Sequence, residues 1–289
     1  MAVITVGTST LSETWRIGYA QSKLALGLRT MMVSDKCFDL DTSNSFYFGK
    51  PYLTAATAAI AAMAGSYTVS TPVTTDDTLT VTDQVTYAVH LREFEETLAR
   101  VDLYGSFIDD LTAAVATKAD QFVLNKILDG ATGTYNTPSG GFAAANINQI
   151  IAELTASVSG YQGVSQGMFL VIENTELAGF IQAGMTNGFN FADATINNGF
   201  RGNYGDVDIY VVRAGTYVTT TLGTLTATNL GHRLFGIKKQ ATYAMPGGTH
   251  YDEKKVTTLT GREISCWINV GAKVWAQTAS LLVDVTIVS

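Results

Sequence analysis

One stretch constrains this chain more than any other. From Asp102 to Asp129 (DLYGSFIDDLTAAVATKADQFVLNKILD) apolar residues recur at Leu103, Phe107, Leu111 and Val115, and again at Phe122 and Ile127. Side chains three and four apart lie on one face of an α-helix, so the segment reads as a single amphipathic helix. Asp102 can cap its start, and Gly130 stands where a terminating glycine belongs. At 1.5 Å per residue such a rod is about 40 Å long. Leu111 falls on its inner face, while Asp109 and Asp110 fall on its exposed flank.

The elements around the rod are mixed. Ser12 can cap a helix running to about Met32, with a broad apolar face of Trp15, Tyr19, Leu24, Leu26, Leu28 and Met31. Phe46-Tyr47-Phe48 reads as a short extended segment, and Pro51 blocks a helix there. Tyr67 to Leu91 is rich in Thr and Val with period-two alternation, which predicts a projecting β-hairpin turning at Thr75-Asp76-Asp77. Asn146 can cap a helix over 147–161. Met168 to Ile172 is a continuous apolar run, the pattern of a central strand buried on both faces. A short helix follows over Leu177–Ala183, then a Gly/Asn-rich loop over 185–205. Strands are expected at Val207–Val212, Arg233–Ile237, Glu263–Val274 and Leu281–Val288. The order gives an α+β protein.

Composition bears on how the chain lives. Only 15% of its 289 residues are charged, against ~25% in an ordinary soluble protein. Mean hydropathy is +0.16. A surface so poor in charge points to burial against other chains. The net charge of −7 argues against a dedicated nucleic-acid reader, which carries a basic face. Two cysteines, Cys37 and Cys266, exclude a disulfide-rich scaffold. No signal-peptide pattern opens the chain, and no window spans a bilayer; Leu53–Tyr67 is short and built of Ala and Thr.

Reactive constellations are missing from the sequence. His90, His232 and His250 share no ligand spacing, so no zinc or other metal site is predicted. Cys37 and Cys266 read as small buried hydrophobes. The glycine-rich stretches lack the strand–loop–helix context that cradles phosphate, and no cofactor is implied. Glu93, Glu95 and Glu96, flanked by Arg92 and Arg100, read as an alternating-charge face that links to a neighbour or within the chain. Trp15, Trp267 and Trp275 read as core or interface anchors.

Taken in order, these elements resemble the major capsid protein of tailed bacteriophages, the HK97-like fold. The helix ending AVATKADQFVLNKILDG is similar to the spine helix of that family's peripheral domain. MFLVIEN, TELAGFI, GNYGDVDIYVVRAG and HRLFGIKKQATYAM resemble its axial domain. The resemblance implies an N-terminal arm and helix over 1–40, an extended hairpin loop over 41–92, a peripheral domain over 93–142 and 246–289, and an axial domain over 143–245. It implies a non-enzymatic coat protein whose copies form hexamers and pentamers of an icosahedral shell around double-stranded DNA, bound without sequence specificity. It further implies a virion location after synthesis in the host cytoplasm, a portal, a separate scaffolding protein and a possible decoration or cement protein. No Lys–Asn crosslinking pair is identifiable. Subunit-interface candidates are Trp15, Tyr19, Phe46, Tyr47, Phe48, Thr75, Asp76, Asp77, Arg92, Glu93, Glu95, Glu96 and Arg100. An encapsulin-type nanocompartment shell is the alternative reading, and an enzyme with an unrecognised α+β site is the third.

Overall fold

The period of the long segment is realised as one unbroken helix, Leu103–Gly130. A computed structural model describes residues 13–53, 74–91, 103–158, 167–187, 200–204, 206–255 and 262–288. In chain order the elements are α1 (Glu13–Met31), α2 (Ser34–Cys37), β1 (Asp39–Asp41), β2 (Tyr47–Leu53), β3 (Thr74–Thr80), β4 (Asp83–Leu91), α3 (Leu103–Gly130), β5 (Gly133–Asn136) and α4 (Ile147–Val158). There follow β6 (Met168–Glu173), α5 (Leu177–Asn187), β7 (Phe200–Tyr204), β8 (Val207–Val212), β9 (Thr221–Leu222), β10 (Leu225–Thr226), β11 (His232–Ile237) and β12 (Ala241–Ala244). The chain closes with β13 (Thr249–Lys255), β14 (Arg262–Val274), a 3₁₀ turn (Ala279–Leu281) and β15 (Leu282–Thr286). The architecture is α+β, as the sequence predicts.

Two cores share the strands between them. The larger gathers α1, α3 and the inner face of β14, whose Ile264, Cys266, Ile268 and Val270 alternate inward. The second packs Ile147, Ile150, Leu154 and Val158 of α4 and Phe180 of α5 over a six-stranded sheet ordered β5-β15-β11-β6-β8-β7. Strand β6 explains its own uninterrupted apolar run. Phe169 and Val171 enter the first core, while Leu170 and Ile172 enter the second. Neighbouring β11 divides likewise, Leu234 to one side and Phe235 and Ile237 to the other.

Helix α1 lies close on α3. A Cβ at Gly27 would stand 2.1 Å from Thr112 Cγ2, so the crossing requires glycine. Asp109 and Asp110 face solvent and Leu111 is buried, as the helical period predicts.

The hairpin is built differently from the sequence expectation. Thr75, Asp76 and Asp77 do not turn; they lie within β3, opposite Tyr52, Pro51 and Lys50 of β2. The ribbon is therefore β2 with β3, and its connecting residues 54–73 lie outside the described residues, as does most of Leu53–Tyr67. The chain leaves β3 through Val81-Thr82, and β4 pairs along its length with β14 instead. Val85 and Tyr87 alternate because they cover the main core. Period two records one covered face and does not say which strand is the partner.

Asn146 is a smaller correction. Its side-chain amide donates to Ser139 O and Gly141 O at 3.1 Å each, tying down the preceding loop rather than capping α4. Described helix α4 closes at Val158, and α5 runs past Ala183 to Asn187. Most of the 185–205 loop and the Ser12 cap lie outside the described residues.

Candidate functional site

Nothing among the described residues assembles a reaction centre. No group of His, Cys, Asp and Glu there could hold a metal ion. His232 Nδ1 sits 2.8 Å from the Asp284 carboxylate, linking β11 to β15. His250 stacks on Trp267 with centroids 5.1 Å apart, and His90 lies in β4. Both cysteines are free and buried. Burial, reinforced by the nearby Asp120 charge, pushes the Cys37 thiol well up. Burial pushes Cys266 up to about 12, so neither thiol forms a nucleophilic thiolate at neutral pH. No described helix is long and apolar enough to cross a membrane.

The ionic groups that are buried serve the fold. Arg233, 4% exposed, donates to Glu173 at 3.0 Å and to Glu176. Glu173 also accepts from the backbone N–H groups of Gly215 and Tyr217, at 3.1 and 3.2 Å. The guanidinium lies over the Tyr217 ring, 5.2 Å from its centroid. A buried cation enclosed by two carboxylates and a ring fixes the 213–217 turn against the sheet. The sequence signal for it was faint, since Glu173 and Glu176 read only as a helix entry.

The candidate surface is the β2–β3 ribbon and its root. Phe48 meets Trp275 edge-on with centroids 5.9 Å apart, and Lys50 lies over the same indole at 5.5 Å. Leu79, Val81, Ala244 and Trp275 form a small core of their own there. Trp275 Nε1 donates to Thr242 Oγ1 at 2.8 Å, leaving no unmet polar atom on the ring. Asp77 completes the root, accepting from Ala276 N at 2.9 Å and from Lys273 Nζ at 3.1 Å. Burial alone would raise its carboxyl, yet the Ala276 and Thr78 amides and the Lys273 ammonium outweigh burial and hold it below the usual carboxylate range. The ribbon is thus clamped at its base.

The sequence-predicted interface residues separate into three groups. Phe46 and Tyr47 are 50% and 62% exposed, and Tyr19 is 40% exposed on α1. Phe48 and Asp77 face inward to the root, while Thr75 and Asp76 are exposed along β3. The Trp15 side chain and Arg92, Glu93, Glu95, Glu96 and Arg100 lie outside the described residues. Three further contacts lie outside the interface candidates. Lys273 and Trp275 hold the ribbon from β14 and the residue after it, and Asp83 accepts from Thr224 N and Thr224 Oγ1 at 2.6 Å each. Trp275 reads as an anchor from the sequence, but nothing in its spacing names the ribbon as its partner.

A six-stranded sheet, a five-stranded sheet of β1, β12, β14, β13 and β4 that carries the long helix, and a clamped ribbon together define a known architecture. No protein-family profile matches the chain, and no curated protein sequence does. Solved structures do match. The capsid of the cyanophage P-SCSP1u superposes with a TM-score of 0.65 at 12% identity, covering 90% of this chain and 89% of that one. The chain has the HK97-like fold. The capsid of an empty gene transfer agent particle agrees equally, with a TM-score of 0.65 at 12% identity over 90% and 91% of the two chains. A virus-like particle from Pyrococcus furiosus matches with a TM-score of 0.60 at 10% identity, over 93% of this chain and 98% of that one.

Proposed function

We propose that this chain is a shell-forming subunit, the major capsid protein of a tailed bacteriophage, whose copies make hexamers and pentamers around double-stranded DNA. The carrying observation is the end-to-end match: about nine tenths of both chains superpose on subunits of closed particles. The physical features agree. A ribbon of two strands has too little core to hold itself, and here only its root is clamped. Exposed Phe46 and Tyr47 leave apolar surface for a neighbour to cover. A net charge of −7 on the subunit suits a container that must not grip its genome. Within this reading a portal, a separate scaffolding protein and an added cement protein are the partners, the virion is the location, and no catalysis is required.

The match to the Pyrococcus particle favours a second reading, a nanocompartment shell of encapsulin type. Expression of the chain followed by negative-stain microscopy tests both. Icosahedral particles support the shell, and nuclease-protected DNA inside those made with scaffold and portal supports the phage role. Packaged protein without nucleic acid supports the nanocompartment. A 30.8 kDa monomer under every assembly condition overturns both.

A further inference from the structure

Two cations line one cleft between β4 and α3. The cleft holds about 470 Å³, within the ~300–1,000 Å³ of ordinary binding sites. Val85 and Tyr87 of β4 wall it on one side, and Ala113 and Ala114 of α3 on the other. The small helix side chains leave this room. Lys118, one turn further along α3, and Arg213, the residue after β8, complete it. No carboxylate is among the described residues that line it.

A fastened turn brings the two cations together. Gln121, buried on α3, uses both ends of its amide: Oε1 accepts from Lys118 Nζ at 2.9 Å, and Nε2 donates to Gly215 O at 2.9 Å. Asn125 Nδ2 donates to Thr216 O at 2.8 Å, and Glu173 accepts from Gly215 N at 3.1 Å. Arg213 O accepts from Thr216 N at 3.2 Å and from Thr216 Oγ1 at 2.7 Å. Arg213 therefore stands on a turn pinned to both α3 and β6. The Lys118 ammonium has three donors and gives one to Gln121. Both cationic side chains are exposed, and among the described residues neither is paired with a carboxylate. They stand unpaired although acidic residues outnumber basic ones, 25 to 18.

We propose that this cleft binds an acidic segment of a partner protein, one apolar side chain entering between β4 and α3 and the carboxylates beside it meeting Lys118 and Arg213. The guanidinium fork and the ammonium hold carboxylates through charge-assisted bonds. The apolar walls give the segment an anchor that charge alone does not supply. A nucleic-acid backbone fits less well. It needs several phosphate contacts for useful affinity, and the cleft offers two cations on a subunit of net charge −7. A second copy of the chain also fits less well. Of the exposed large apolar residues among those described, Phe46, Tyr47 and Leu230 included, none stands next to Asp or Glu in sequence. The partner is therefore a different protein. The inference goes beyond the shell reading and does not rest on it.

Fluorescence anisotropy of a fluorescein-labelled peptide, GSFDEEGS, tests this on the full-length protein. The expected result is saturable binding that weakens by about tenfold or more in Lys118→Ala/Arg213→Ala. Both side chains are exposed, so the urea midpoint of that variant should stay close to wild type. Ala114→Leu, which fills the cleft from the helix, should weaken binding to a similar extent. The uncharged peptide GSFNQQGS and the anchorless peptide GSGDEEGS should each bind about tenfold more weakly or worse. Should Ala114→Leu fail to fold, the double alanine variant and the two control peptides decide alone. No binding of GSFDEEGS, an affinity unchanged in the double alanine variant, or equal binding of GSFNQQGS overturns the proposal. Tighter binding of a labelled oligothymidylate overturns it in favour of a nucleic-acid contact. Self-association of wild type that the double alanine variant loses overturns it in favour of a second copy. The peptide arms do not read particle formation, so their failure leaves the shell reading standing.

Discussion

Asp120, buried on the long helix α3, holds Ser34 of the four-residue α2. One carboxylate oxygen accepts from the Ser34 amide at 2.9 Å and from the Ser34 hydroxyl, and the other accepts from Val33 N at 3.1 Å. A residue of the long helix thereby caps a segment eighty-six positions earlier and fastens the N-terminal helix to the body. Asp120→Ala should leave these donors without an acceptor, at a cost of about 2–4 kcal/mol. The urea midpoint measures it, and faster exchange of the Ser34 amide localises it. Burial raises the Asp120 carboxyl above 3.8 despite these bonds. The folded state therefore takes the proton first, so this group's contribution to stability rises as pH falls from that raised value towards 3.8, and is flat at neutral pH.

Asp77 behaves with the opposite sign. Its carboxyl lies below 3.8 in the folded chain. Its contribution is complete above the ordinary carboxylate value and is lost as pH falls through the lowered one. Asp77→Asn keeps an acceptor for Ala276 N but loses the charge facing Lys273. The stability gap between wild type and variant should hold steady from neutral pH to about pH 4 and close below it. Urea midpoints across that range measure the gap; one that widened on acidification would refute the clamp.

The same root shows what the sequence carried and what it did not. Period and capping placed α3 within a residue at either end, and the two-sided burial of Met168–Ile172 followed from its unbroken apolar run. Those signals are local. The partner of β3 is not local, because Thr75, Asp76 and Asp77 pair with residues more than twenty positions back. An Asp-Asp pair reads as a turn by composition, yet here Asp76 is exposed and Asp77 is paired with Lys273 and the Ala276 amide, so both are accommodated within a strand. The exposure of Phe46 and Tyr47, like the roles of Lys273, Trp275 and Thr224, comes only from tertiary structure.

The α1–α3 crossing gives a test of packing. Gly27→Ala would gain about 1 kcal/mol of helix propensity. The new Cβ, 2.1 Å from Thr112 Cγ2, meets a side chain held by its hydroxyl bond to Ile108 O at 2.7 Å. Overpacking costs about 1–3 kcal/mol, so the net change should be a loss. Thr112→Ser removes the offending methyl and keeps the hydroxyl. The double variant should recover most of the loss, a non-additivity that thermal melts resolve.

Leu111, 3% exposed, and Asp109 occupy opposite sides of α3. Leu111→Asp places an unpaired charge in the main core and should abolish folding, read as loss of soluble protein or of near-ultraviolet dichroism. Asp109→Ala gives up only the exposed contact to Lys23 at 3.7 Å, and should shift stability by less than about 1 kcal/mol. Equal losses from both would mean the helix does not present Leu111 to the core.

Phe46, Tyr47 and Phe48 are consecutive aromatics with different work to do. Phe46 and Tyr47 stand half or more exposed, while Phe48 lies against Trp275 in the ribbon root. Phe46→Ala/Tyr47→Ala should leave monomer stability within about 0.5 kcal/mol, because no packed group is removed. If neighbours cover this pair, the same variant should lose particles in a sedimentation assay that wild type passes. Phe48→Ala should do the reverse in kind, lowering stability by about 2 kcal/mol, read as a lower urea midpoint, through the opened root before assembly is reached. Particles forming at wild-type yield from the double variant would show that the exposed aromatics are not where one subunit grips the next.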